Sequence, residues 1–170
     1  MPDSAHVPAP HPRPATRRPR PQPPERGCLT AVAYEAFCDT HRAVYIRYAA
    51  TRLGSASAGA EAAGAALDAL AWLWTSVLTS AAPARISWQL LTDLVNARAH
   101  HGRTPEEGLS GPYADAVILR TSLGLSGQEA ADAMGVPLCE FDVLHRAALR
   151  TMGVRKAMTD ACSHLRGPAG

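Results

Sequence analysis

Aromatic residues make up only 5% of this 170-residue chain, so any core must be built mainly from alanine, leucine and valine. No stretch approaches the about 18 consecutive apolar residues of a membrane span, so no membrane association is expected. Cysteine is sparse, and Cys28, Cys38, Cys139 and Cys162 are scattered without a Cys-x-x-Cys pair. That spacing fits neither a disulfide framework nor a zinc site. Cys38 and His41 lie one helical turn apart, but two ligands do not make a metal site. The start of the chain has no apolar stretch of the signal-peptide kind, so free thiols and a cytoplasmic location are expected. No segment alternates with period two, which leaves no expected sheet. There is no phosphate-binding glycine loop, no His-Glu-x-x-His and no nucleophile elbow. No enzyme, cofactor or metal is therefore expected, and His100-His101 near Asp93 reads as a solvated, basic helix end.

Hydrophobic residues are 46% of the chain, enough to exclude a wholly disordered protein. The length suits one or two small domains. The formal charge of +2 is unevenly spread. Residues 1–26 carry five arginines against Asp3 and Glu25, a net +3, whereas residues 104–170 carry a net −2. Residues 1–26 also hold nine of the fourteen prolines. Proline removes a backbone donor and fixes φ, so no helix or sheet propagates there. Residues 1–29 are expected to be a disordered or polyproline-like tail, either merely solvated or a basic arm for nucleic acid or an acidic partner.

After Thr30 the pattern turns helical. Tyr34, Phe37, His41, Val44, Tyr45 and Tyr48 recur every three or four residues, and Leu53-Gly54-Ser55 closes that helix. A second helix is expected from about Ala58 to Thr79, with Leu67, Leu70, Trp74, Val77 and Leu78 inward and Trp72 and Leu73 broadening the stripe. Its Ala60–Ala66 stretch is nearly all alanine and glycine, which permits close helix approach but buries little area per residue. Pro83 and Arg85 fall in a break, and Ser87 is placed to cap a third helix carrying Trp88, Leu91, Leu94 and Val95. A fourth helix opens at Ser110-Gly111-Pro112, carries Ala116, Val117, Leu119 and Leu123, and stops at Gly124. Ser126-Gly127-Gln128-Glu129 has capping-box spacing, and a short helix from about Gly127 to Met134 ends at Gly135. Pro137 opens a last helix with Leu138, Phe141, Leu144, Ala148 and Met152 inward. The expected fold is all-α. The short helix, the Gly135-Val136 turn and the last helix form a helix-turn-helix pattern, shared by DNA-binding units and by ordinary helical hairpins.

The run from Leu123 to Pro137, Leu-Gly-Leu-Ser-Gly-Gln-Glu-Ala-Ala-Asp-Ala-Met-Gly-Val-Pro, resembles the C-terminal promoter-binding domain of sigma factors, which reads approximately Leu-Gly-Leu-Ser-x-x-Glu-Ile-Ala-x-x-Leu-Gly-Val-Pro. Leu144-His145-Arg146-Ala147 resembles the end of that family's recognition helix, and Ala116–Arg120 its preceding helix. Phe37 through Leu53-Gly54, Ala60-Glu61-Ala62 and Leu73-Trp74 resemble parts of the other sigma domain. Trp88-Gln89-Leu90-Leu91 through Asn96 and Arg103 resembles its promoter-melting segment. Over residues 31–152 the order is that of extracytoplasmic-function sigma factors.

The resemblance implies a region-2-like bundle at 30–103, a linker at 104–111, a region-4-like helix-turn-helix domain at 112–156 and a C-terminal tail at 157–170. It implies RNA polymerase core and promoter DNA as partners, with an anti-sigma factor or another regulator beside them. Polymerase binding would fall to Glu61 and Asp68. DNA binding would fall to Asn96, Arg98, His100, His101, Arg103, Gln128, Glu140, Asp142, His145, Arg146 and Arg150. This chain departs from the family in three places. Its polymerase-facing helix is mostly alanine and glycine, Asn96 is followed by Arg98, His100 and His101, and the recognition helix carries Cys139-Glu140-Phe141-Asp142. Two acids there would repel phosphates. The implied function is therefore a sigma-like transcription regulator, or a sigma-fold interaction module that no longer reads DNA.

Overall fold

The computed structural model describes residues 26–99, 109 and 111–165, with side chains over 28–99, 109 and 111–154. Residues 1–25, most of the 104–111 linker, and His100, His101 and Arg103 lie outside the described residues, whereas 26–29, expected as the end of the tail, are already helical. Six helices follow one another, and no strand occurs among the described residues. They are α1 (Arg26–Leu53), α2 (Ala56–Val77), α3 (Pro83–Arg98), α4 (Gly111–Val117), α5 (Gly127–Met134) and α6 (Leu138–Leu165). A π-helical turn, Ile118–Ser122, extends α4. Among the described residues no helix is long and apolar enough to cross a membrane. Helix α6 runs on to Leu165, through most of the segment expected as a tail.

Helices α1 and α2 form a tight hairpin. Gly54 takes the left-handed conformation that ends α1 (φ 66°), and Ser55 caps α2 by accepting from the Ala58 N–H. The alanine-rich stretch works as close-approach surface. A Cβ on Gly59 would stand 2.4 Å from the Ala50 nitrogen, and Ala62, Ala63 and Ala66 are fully buried. At the other end of the hairpin the Tyr34 hydroxyl donates to the Leu67 carbonyl at 2.8 Å, and the Trp74 indole donates to the Thr30 carbonyl at 2.9 Å. Helix α3 lays Trp88, Leu91 and Val95 against this pair, with Trp88 on Tyr45 and Tyr48.

Four local expectations are corrected. Pro83 and Arg85 lie in the first turn of α3, where proline's missing donor costs nothing, rather than in a break. Ser87 is therefore a buried residue inside that helix and caps nothing. Trp72 is 91% exposed and Leu73 47% exposed, because Trp74 and Leu70 already fill the inward face of α2. Leu78 lies just past the end of α2, and Leu138 at the start of α6, and both are about two-fifths exposed instead of buried.

The two helical groups share one apolar core, which runs from Cys38, Tyr45 and Trp88 to Leu123, Met134 and Phe141. Polar ties cross the same joint. Arg47 donates to the Leu123 carbonyl at 2.6 Å, and the Tyr48 hydroxyl donates to Asp115 at 2.5 Å.

Candidate helix-turn-helix interface

Local chemistry builds the helix-turn-helix unit. The Glu129 N–H donates to Ser126 Oγ at 3.2 Å, and the Ser126 N–H donates back to Glu129 Oε2 at 2.7 Å, which completes the expected capping box. Hydrogen bonding from the Ser126 side chain, and then from its backbone N–H, holds the Glu129 carboxyl below its ordinary pKa. Gly135 ends α5 in the left-handed conformation at φ 65°, and its N–H bonds back to the last turn. Helix α6 then turns Phe141 and Ala148 into the core, with Leu144 partly covered. This sets the register of the helix. Its solvent face presents Cys139, Val143, Arg146, Leu149 and Arg150.

Neither acid at the start of the last helix, Glu140 or Asp142, projects alone into solvent. Glu140 meets Arg85 of α3 at 2.8 Å. The same guanidinium donates to the Gly135 carbonyl at 3.4 Å. Asp142 lies against the start of α5, with its Oδ1 3.8 Å from where a Cβ of Gly127 would be. A carboxylate there complements the N-terminal helix dipole. The turn itself rests on α3, since a Cβ on Gly135 would come within 2.0 Å of the Arg85 nitrogen.

The other expected site residues are scattered. Gln128 donates to Asp132 one turn on, at 2.7 Å. His145 is partly buried and stacks on Phe141; burial, then the charge of Arg120, pulls its pKa below the ordinary value. Arg146 donates to the Asp142 carbonyl at 3.1 Å and is exposed, as is Arg150. Asn96 accepts from Arg52 at 2.8 Å, and Arg98 is exposed at the end of α3. Glu61 and Asp68 are both exposed on the outer face of α2, two turns apart. The structure thus brings Asn96 and Glu140 to one cavity of about 380 Å³ between the two helical groups, and leaves Glu61 and Asp68 on a separate surface.

Asp115 lines that cavity and escaped the sequence reading. It is 5% exposed, accepts the Tyr48 hydroxyl, and has Arg52 at 3.8 Å. Burial raises its carboxyl pKa, against the opposing pull of Tyr48 and Arg52. A sequence signal did exist, because Asp115 is the lone charge in Ala114–Leu119, all of it buried. A raised folded pKa means that the fold favours the protonated acid. Stability should therefore fall as pH rises from the ordinary carboxylate value, about 3.9, through the raised value, and then level off. Asp115→Asn should flatten this limb in urea unfolding measured at a series of pH values. An unchanged limb would assign the dependence to other groups. Tyr48→Phe should cost about 1–3 kcal/mol at neutral pH, because it strips a buried carboxyl of its donor.

No protein-family model, curated protein or solved structure matches this chain.

Proposed function

We propose that this chain is a sigma-factor-like transcription regulator that binds RNA polymerase core, promoter DNA or both. The observation that carries this reading is the α5–Gly135–α6 unit, capped at Ser126 and turned at a left-handed glycine, with Arg146 and Arg150 exposed on the outer face of its last helix. Arginines so placed hold the phosphate backbone, while the side chains between them meet base edges. The exposed acids Glu61 and Asp68 on α2 support the polymerase half, since a partner's basic surface would be steered to them.

A second reading is favoured by one contact. Arg85 holds Glu140 and the Gly135 carbonyl, so α3 sits against the tip of the helix-turn-helix unit. In that arrangement the protein is a sigma-fold interaction module, bound to a sigma factor, an anti-sigma factor or a polymerase subunit, that does not read DNA. One experiment separates the two: capture on RNA polymerase core, followed by promoter-directed transcription. Binding with transcription supports the regulator that directs initiation. Binding without transcription supports the module, and no binding to core removes the polymerase half of both.

A further inference from the structure

The largest exposed aromatic in the molecule is Trp72, whose ring stands on the outer face of α2, 91% exposed. Leu73 on the same helix, and Leu29 and Val32 in the first turns of α1, are about half exposed. All four lie at one end of the α1–α2 hairpin, because Trp74 bonds to the Thr30 carbonyl there. Trp72 is on the face of α2 turned away from α1, and an exposed tryptophan is unusual on a surface with no partner.

Four exposed acids lie along the hairpin, and Glu61, Asp68 and Trp72 share the outer face of α2 by their spacing. Glu35 and Asp39 on α1, and Asp68 and Glu61 on α2, are exposed. None of these four makes an ion pair among the described residues. Arg26 opens α1 at this end; the later arginines of α1 are Arg42, Arg47 and Arg52, and the last two turn away to Leu123 and Asn96.

We propose that the proline- and arginine-rich segment of residues 1–25 docks on this surface, prolines against the Trp72 ring and Arg13, Arg17, Arg18 and Arg20 against the acids of α1 and α2. The segment joins α1 at Arg26, at the same end as Trp72. Proline-rich chain is suited to an exposed indole, because the polyproline helix is already stiff and presents its rings to aromatic surfaces. The lengths agree. Glu61 to Trp72 covers about 16 Å along a helix, and Arg13 to Arg20 covers about 22 Å in polyproline form. Covalent attachment keeps the segment at an effective concentration on the order of millimolar, so weak contacts suffice. The docked segment also covers Glu61 and Asp68; that it thereby competes with polymerase rests on the function proposed above.

A photoreactive benzoylphenylalanine in place of Trp72, in the full-length chain and with no other protein present, tests the docking. Crosslinks should form within one chain, map to residues 1–25, and weaken as salt rises. Replacing Arg13, Arg17, Arg18 and Arg20 together by serine, or making Glu35→Gln, Asp39→Asn and Asp68→Asn together, should reduce them several-fold while the helical circular dichroism stays unchanged. Crosslinks between two chains would make the occupant a second copy and overturn the proposal. So would the absence of any crosslink to residues 1–25, or a yield that neither set of substitutions changes. Acrylamide quenching of the Trp72 emission, taken as the difference between the parent and Trp72→Phe, gives an independent reading. Quenching should increase when the four arginines are replaced, and equal quenching would count against docking. Polymerase is absent from these measurements, so they stand or fall apart from the function proposed above.

Discussion

Gly135→Ala should be among the most damaging single substitutions in this chain, with Gly124→Ala as its mild counterpart. Both glycines hold positive φ, at 65° and 69°. A side chain in that conformation costs about 1–2 kcal/mol. At Gly124 this is the whole expected effect, because nothing lies within 4 Å of the added Cβ. At Gly135 the new carbon would meet the Arg85 nitrogen at 2.0 Å and the Ala84 carbonyl carbon at 2.5 Å. These are backbone atoms at the start of α3 and cannot rotate away. Forcing atoms into such a contact adds about 1–3 kcal/mol, and more where the backbone must shift. Urea unfolding should therefore separate the two variants by at least ~1 kcal/mol. Equal losses at the two sites would mean that the turn does not rest on α3. The circular dichroism of Gly135→Ala should stay helical even so, since α5 and α6 are each capped or packed independently of that contact.

Reversing the two acids at the start of the last helix, Glu140→Lys with Asp142→Lys, should raise affinity for duplex DNA if α6 faces phosphates. Two added phosphate contacts would steepen the salt dependence by about 2 in the log–log slope, with a gain on the order of tenfold or more at low salt. The arrangement around Arg85 adds a second effect. Glu140 and Arg85 are each almost half exposed, so the pair contributes at most about 1 kcal/mol. Its replacement by two like charges pushes the tip of α6 away from α3 without unfolding either helix. The loss of Asp142 from the start of α5 costs about another 0.3–1 kcal/mol. Glu140→Gln isolates the release from the added charge. It removes the ion pair and adds no positive group, so any DNA affinity it gains comes from freeing the tip. Titration of labelled duplex at several salt concentrations reads both effects. An unchanged affinity and slope for the double variant would place α6 away from DNA and favour the interaction module.

Much of the local structure was legible because its causes are local. Ser126 and Glu129 form the capping box read from their spacing, and Gly135 closes α5 at the position its residue type suggested. The alanines of α2 allow the close approach to α1 that small side chains permit. The misreadings have equally definite causes. Trp72 and Leu73 broaden the apolar stripe in the sequence, yet a helix has only one face to give the core, and Leu67, Leu70, Trp74 and Val77 occupy it. Ser87 looked like a cap because proline and arginine before it looked like a break, whereas proline is well suited to the first turn of a helix. That Glu140 meets Arg85 and Asp142 meets the start of α5 was not legible, because neither partner is a neighbour of the last helix in sequence.

By itself, the sequence determined that the described chain is helical, where Gly54, Ser55, Ser126 and Gly135 cap or turn it, and that no sheet competes with the helices. Those outcomes follow from φ limits, caps and apolar spacing, all of which act within a few residues. Tertiary structure alone decided that the two helical groups share a core, that Asp115 is buried under Tyr48 across 67 residues of chain, and that Arg85 holds Glu140 across 55. Such contacts form only when packed helices bring distant side chains together, and their geometry is set by which residues are left over after each helix has buried its apolar face.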